Sequence, residues 1–373
     1  MKKILVKLLG GEKFQMVRIS LFAILISLIV GTVILAVIGK NPFAAYANLL
    51  QGSGFLPKPQ YAGRQSIFTD LMSFLDALTP MIFAALAVAV AFRAGMFNIG
   101  VSGMMLAAGF AASVTVGQLE MAAPIAKPLV LLIGIVAGAL VGALIGWLKY
   151  RFNINEVVSS IMINYTLMYL ISFYINNNLI DPVSRQSKAV TDASRLTLPA
   201  VQAFGLKFNI PLAFPLAIIA AVLMWFILDR TTIGFEIKAV GLGKNAARYA
   251  GVSISKNIIL AMTISGALAG IAGVTYFCGY NASIMPGSIP SMGFNAIAVA
   301  LLGNADPIGC IFSSILITIL SKGSIYMSSQ QGVDIEIADL ITAVILIFAA
   351  CAEFIKMYVG KISMETKKEV QKQ

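Results

Sequence analysis

Few residues in this chain can do chemistry, and those few cluster. In 153-NINEVVSSIMINYTLMY-169, Glu156, Ser160 and Asn164 recur at i, i+4 and i+8. That spacing places them on one face of a helix, with Tyr165 beside it. In 92-FRAGMFNIGVSGMM-105, Arg93, Asn98 and Ser102 stand with Phe97 at the start of an apolar run. A second Phe-Asn pair, Phe294–Asn295, precedes a shorter run that Asn304 closes. Amides, hydroxyls and aromatic rings bind an uncharged polar solute by hydrogen bonding and stacking. Inside a membrane they equally tie one helix to another, and both readings stand for the Glu156/Ser160/Asn164 face. Glu156 is also placed to pair with Arg151 or to cap its helix.

Other chemistries are excluded by what is missing. The chain has no histidine, which removes His-based nucleophile systems and His-ligated metals. Cys278, Cys310 and Cys351 lie far apart in apolar runs, with no metal spacing and no disulfide framework. Gly241-Leu242-Gly243-Lys244-Asn245 fits neither a P-loop nor a dinucleotide fingerprint. No aromatic-rich basic module for nucleic acid is present. The acids lie near the ends of apolar runs, Asp76, Glu336 and Asp339 among them with Lys322, where snorkelling or mutual pairing accounts for them. A proton- or sodium-coupled carrier would need carboxylates at mid-membrane.

The elements that must position these groups are membrane helices. Of 373 residues, 59% are hydrophobic and 12% charged, against about a quarter charged in soluble domains. Apolar stretches long enough to span a bilayer fall near 17–39, 74–92, 98–117, 128–148, 157–176, 211–228, 257–278, 308–327 and 337–358. A shorter run near 289–303 brings the count to ten. The fold class is all-α and polytopic, a single transmembrane domain over 1–373. The first run is longer than a signal-peptide core and reads as a membrane helix. With the N-terminus inside and alternation thereafter, most of the 27 Lys and Arg fall inside, as the positive-inside rule expects, and the basic C-terminus is inside too. The net charge of +11 then reflects topology.

Three segments fall between spans. Residues 40–73 and 177–210 read as external loops, the latter with a short surface helix. Residues 229–256 read as an internal loop with helical patches over 235–240 and 245–250, stopped by Gly241, Gly243 and Gly251. Its glycines and alanines leave little apolar face for lipid, so a cytoplasmic partner is expected there. Gly134, Gly138, Gly142 and Gly146, and Gly266 and Gly270, recur every four residues as close-packing stripes.

These residues resemble the permease subunits of bacterial ABC importers for simple sugars and nucleosides, a group related to ribose and branched-chain amino acid permeases. The resemblance runs from about 74 to 358 and lies closest to the nucleoside branch. It is carried by Ala94-Gly95-Met96-Phe97-Asn98-Ile99-Gly100, by Asn155 to Tyr165, by Gly241 to Gly251 and, more loosely, by Ala300 to Asn304 with Pro307 and Gly309. Two motifs depart from the branch pattern. Ser102 and Met104 stand where Glu and Gln are usual, and Gly243-Lys244 stands where Asn-Pro is usual.

The resemblance implies a type II importer-like permease, with helices 2–5 and 7–10 as a probable inverted repeat. The opposed Phe97-Asn98 and Phe294-Asn295 pairs echo such a repeat. It further implies nucleoside import by alternating access across the bacterial cytoplasmic membrane, with both termini cytoplasmic. The alternatives are a ribose or galactose permease and, further off, a secondary transporter or a membrane enzyme. The substrate path implied is Phe97, Asn98, Ser102, Ser160, Asn164, Tyr165, Phe294 and Asn295. The implied ATPase-docking residues are Gly234, Glu236, Gly241, Ala246, Ala247, Arg248, Tyr249 and Gly251. The partners implied are a cytoplasmic ABC ATPase, a second and shorter permease, an extracytoplasmic substrate-binding lipoprotein and membrane lipid. No cofactor binds directly; ATP is used by the partner subunit.

Overall fold

The computed structural model describes residues 15–61, 63–203 and 205–351. The basic clusters expected inside at Lys2 to Lys13 and beyond Lys356 lie outside the described residues. Thirteen α-helices and one hairpin make up the rest. They are α1 (Gln15–Val37), α2 (Pro42–Gly52), α3 (Ile67–Arg93), α4 (Val101–Ala112), α5 (Ala123–Phe152), α6 (Glu156–Tyr174), β1 (Thr197–Ala203), β2 (Leu206–Pro211), α7 (Phe214–Arg230), α8 (Thr232–Leu242), α9 (Lys244–Tyr249), α10 (Ile254–Thr275), α11 (Met292–Leu302), α12 (Pro307–Gln331) and α13 (Glu336–Ala350). One π-helical turn extends each of α4, α6 and α10.

Within the described residues every apolar run found in the sequence coincides with a helix, but the runs are not equal spans. Among the described residues, five helices are long and apolar enough to cross a bilayer, or up to seven if each bent pair is one span. The bent pairs are α1–α2, at 116°, and α7–α8, at 72°. Helix α4 with its π turn, and α11, are shorter apolar helices. Eleven residues at 1.5 Å each extend α11 only about 16 Å, roughly half the ~30 Å hydrocarbon core. The N-termini of these two short helices meet. A Cβ on Gly293 would lie 2.6 Å from the Ser102 nitrogen, and the Ser102 hydroxyl donates to the Pro290 carbonyl at 3.0 Å.

Helix α3 is the hub. From Phe74 to Ala91 almost every side chain is buried, and the alanine-rich AALAVAVA stretch lets neighbours approach closely. Helices α5 and α10 form the tightest pair. A Cβ at Gly138 would sit 2.2 Å from the Gly266 carbonyl, and one at Gly270 would sit 2.0 Å from the Gly134 carbonyl. The four-residue glycine stripes are therefore one backbone-to-backbone seam.

Two segments differ from the sequence reading. Residues 177–210 hold no α-helix. After the π turn Ile175–Leu179 they form a bridge, Ile180 to Ser187, and then the antiparallel β1–β2 hairpin, which pins onto α3 where Thr197 donates to Asp76 at 2.6 Å. The polar composition hid an alternating strand pattern. Residues 40–73 are not all loop. Asn41 caps α2 with Pro42 at its first position, and α2 lies on α12, where Ser53 reaches the Ile319 carbonyl at 3.2 Å. Because α3 begins at Ile67 rather than near 74, Asp76 lies more than two turns inside the helix and is buried, not at its end.

Candidate functional site

Asn98 follows the turn that ends α3 and is fully buried. Its amide nitrogen donates to the Ser265 hydroxyl at 2.8 Å, and its oxygen accepts from the Gly100 N–H at 2.9 Å. Ser265 in turn donates to the Ala87 carbonyl at 2.6 Å. One asparagine thus ties α10, α3 and the entry to α4. Asn164 on α6 works the same way. Its oxygen accepts from the Gly103 N–H at 3.0 Å and its nitrogen donates to the Ile99 carbonyl at 3.0 Å, so it caps α4 from a neighbouring helix. Ser160, one turn earlier, is fully buried with an unpartnered hydroxyl. Tyr165, Phe97 and Phe294 are largely exposed. Glu156 pairs with Lys149 at 2.7 Å rather than with Arg151, and Asn155 is the α6 cap. In a membrane-spanning bundle such closed amide pairs are interhelical joints.

The expected docking segment folds as α8 and α9 broken at Gly243. Gly241 lies inside α8 and is not a stop. Its role is close approach: a Cβ there would sit 2.2 Å from the Arg93 carbonyl, against the turn whose Gly95 has φ +69. Arg93 in turn donates to the Ala305 carbonyl at 2.9 Å. Gly234 packs on the Ile227 and Leu228 backbone at the α7–α8 bend. Glu236 faces inward and accepts from Asn257 at 2.8 Å. Ala247 is buried, while Ala246, Arg248, Tyr249 and Gly251 are exposed. The apolar face is larger than composition suggested. Leu242 is 92% and Tyr249 95% exposed, with Phe235 at 67% and Lys244 beside them.

A cavity of about 220 Å³ opens among α3, α10, α11, α12 and α13. Tyr276, Tyr280, Asn295, Thr318, Lys322 and Asp339 are in its wall. A neighbouring cavity of about 450 Å³ shares Tyr276 and Ser291 and adds Phe277, Asn281 and Gln186. Of the eight path residues expected from sequence, Asn295 alone is in the wall of the smaller cavity, and none is in that of the larger. Sequence reasoning missed Tyr276 and Tyr280, an i, i+4 pair at the end of one apolar run, and Thr318, inside another; the two runs share no spacing that would have joined them. Lys322 did carry a signal: a lysine inside a membrane-length run is a functional candidate. Its ammonium is 3.4 Å from the Tyr280 hydroxyl and 5.1 Å from that ring's centroid.

A bundle of apolar helices around a polar cavity, with a helix pair bent by 72° at one end, is the architecture of a membrane protein. The chain belongs to the branched-chain amino acid transport system / permease component family, whose profile matches residues 71–350. It is accordingly a transport subunit of an ABC transporter, not an enzyme. It is 36% identical over 353 residues to the guanosine ABC transporter permease protein NupP of Bacillus subtilis, covering 94% of this chain and 98% of that one. It is 34% identical over 359 residues to the nucleoside ABC transporter permease protein NupB of Lactococcus lactis, covering 94% and 95%. The glucose ABC transporter permease protein TsgB13 of Haloferax volcanii is 26% identical over 342 residues, covering 90% and 87%.

Proposed function

We propose that this chain is the permease of an ATP-driven importer that moves nucleosides across a bacterial cytoplasmic membrane. The observation that carries this reading is near end-to-end identity above one third with two nucleoside permeases. The more distant glucose permease favours a sugar as the second reading. The test is uptake of radiolabelled guanosine, uridine, ribose and glucose by cells with and without the gene. Loss of nucleoside uptake alone is expected; loss of sugar uptake with nucleoside uptake intact overturns the reading.

Contacts within the chain support the alternating topology. Arg93 with Ala305, Gly95 with Gly241, and Lys149 with Glu156 each join two segments assigned inside. Lys40 with Gln331, Arg64 with Gln202, and Gln118 with Lys188 each join two assigned outside. Both termini are then cytoplasmic and ten runs cross. The lengths of α3–α6 (27, 12, 30 and 19 residues) parallel those of α10–α13 (22, 11, 25 and 15), which supports an inverted repeat.

On this topology α8 and α9 receive the ATPase, with Leu242 and Tyr249 as apolar anchors ringed by Lys244 and Arg248. Gly241 passes their movement to the turn before Asn98. The exposed α6 face with Tyr165, Tyr169 and Phe173 suits a second permease or lipid, and the segments around α2 and the hairpin receive the binding protein. Asn98, Ser102 and Asn164 serve as the joints on which the path moves, and the cavity at Asn295 is its outer chamber.

A further inference from the structure

The walls of the outer chamber hold a group that the fold does not use. Hydroxyls on membrane helices ordinarily donate to the carbonyl four residues earlier. Thr79, Thr166, Ser172 and Thr263 all do so here, at 2.6 to 2.8 Å. Thr318 does not. It is 2% exposed, lines the cavity, and its hydroxyl has no hydrogen-bond partner. Ser314, one turn earlier on α12, is fully buried and likewise unpaired. Buried polar groups are almost always satisfied, so the orphan Thr318 hydroxyl on a residue of the cavity wall marks a place for a polar occupant, while Ser314 lies outside that wall.

The rest of the wall defines that occupant. Tyr276 and Tyr280 stand 6.0 Å apart with their rings inclined by 32°, an offset geometry that suits a flat aromatic solute. Asn295 adds an amide at the start of α11. Lys322 and Asp339 contribute one charge of each sign, so the chamber has no net charge to attract an anion. With the adjoining cavity, the space lies in the range of about 300–1,000 Å³ typical of small-molecule sites. A ring, several hydroxyls and no charge describe a nucleoside rather than a nucleotide.

We propose that this chamber is a binding station within the permease itself, resting on the nucleoside reading above. Tyr276 and Tyr280 take the base, and the Thr318 hydroxyl with the Asn295 amide takes the ribose hydroxyls. Ribose recognition then occurs within the membrane.

The test uses the complete transporter in vesicles, with maximal ATP-dependent uptake of guanosine and of 2′,3′-dideoxyguanosine as readouts. The binding protein is common to every sample, so changes in the ratio of the two rates report the permease. Thr318→Val keeps the shape and removes the hydroxyl. It should leave the melting temperature of the solubilised permease unchanged or raised, because no protein bond is lost. The guanosine rate should fall about ten-fold, the scale of one neutral hydrogen bond. The dideoxyguanosine rate should hold, and Thr318→Ser should restore the ratio. Equal losses for both solutes, or no change in either, overturn the station. So does failure of Thr318→Val to reach the membrane, since that would mean the hydroxyl supports the fold. A wild-type transporter that carries no nucleoside sinks the parent reading instead, whatever Thr318 does.

Discussion

Asn98 and Asn164 spend both ends of their amides on neighbouring helices, while Asn295 opens onto a cavity. The three looked equivalent in sequence, because an asparagine at the head of an apolar run reads the same whether its partner is a solute or a carbonyl. Only the partner's position in space separates them. Asn98→Ala leaves the Gly100 N–H buried without its acceptor, while Ser265 keeps its bond to Ala87. That should cost about 1–3 kcal/mol, seen as a lower melting temperature and a lower membrane level. An Asn98→Ala permease of full stability that merely changes substrate preference would return Asn98 to the path. Lys322 teaches the converse. Its helix was legible and its charge was conspicuous, but only folding brings it to Tyr280 and across from Asp339.

At the scale of elements, hydropathy located a helix in each long apolar run because such runs in a membrane have no structure but a helix available to them, while α2, in a stretch read as loop, escaped it. It did not locate helix starts. Capping by Ser66 begins α3 a full two turns early, in a stretch polar enough to pass for loop. Hydropathy marked the run of α11 as short but took that of α4 for a full span, and the shortness of α4 becomes clear only when Ser102 meets Gly293. The glycine stripes were legible as packing, and their partners follow from mutual spacing. Gly138→Val should therefore separate α5 from α10, since its Cβ meets the Gly266 carbonyl and not a flexible side chain. A loss of about 1–3 kcal/mol is expected, against no measurable loss for Leu140→Ala on the exposed face of the same helix. Equal stability of the two variants would dissolve the seam. Arg248→Glu leaves packing untouched, because Arg248 is exposed. It should lower co-purification of the ATPase and uptake together, with permease levels constant; unchanged association would remove α9 from the docking surface.

For the whole molecule, the decisive question is which end faces the cytoplasm, and it turns on one helix. Between Val183, in the polar segment before the hairpin, and Leu242, at the end of α8, α7 is the one candidate crossing among the described residues. Its 17 residues extend about 26 Å, slightly short of the ~30 Å core. On the proposed topology, the 72° bend at Thr231, where the threonine hydroxyl accepts from Gly234, turns the chain along the membrane surface rather than onward through it. A helix of this length crosses only if the bilayer thins or its ends snorkel, and Arg230 in the last turn is placed to do so. Val183 and Leu242 are each 92% exposed, so cysteines there are open to a membrane-impermeant maleimide. In a background with Cys278, Cys310 and Cys351 replaced, Val183→Cys should label on intact cells. Leu242→Cys should label only in inside-out vesicles or after permeabilisation. Labelling of both from one side would mean that α7 re-enters instead of crossing. It would place α8 and α9 opposite any cytoplasmic ATPase and end the docking assignment.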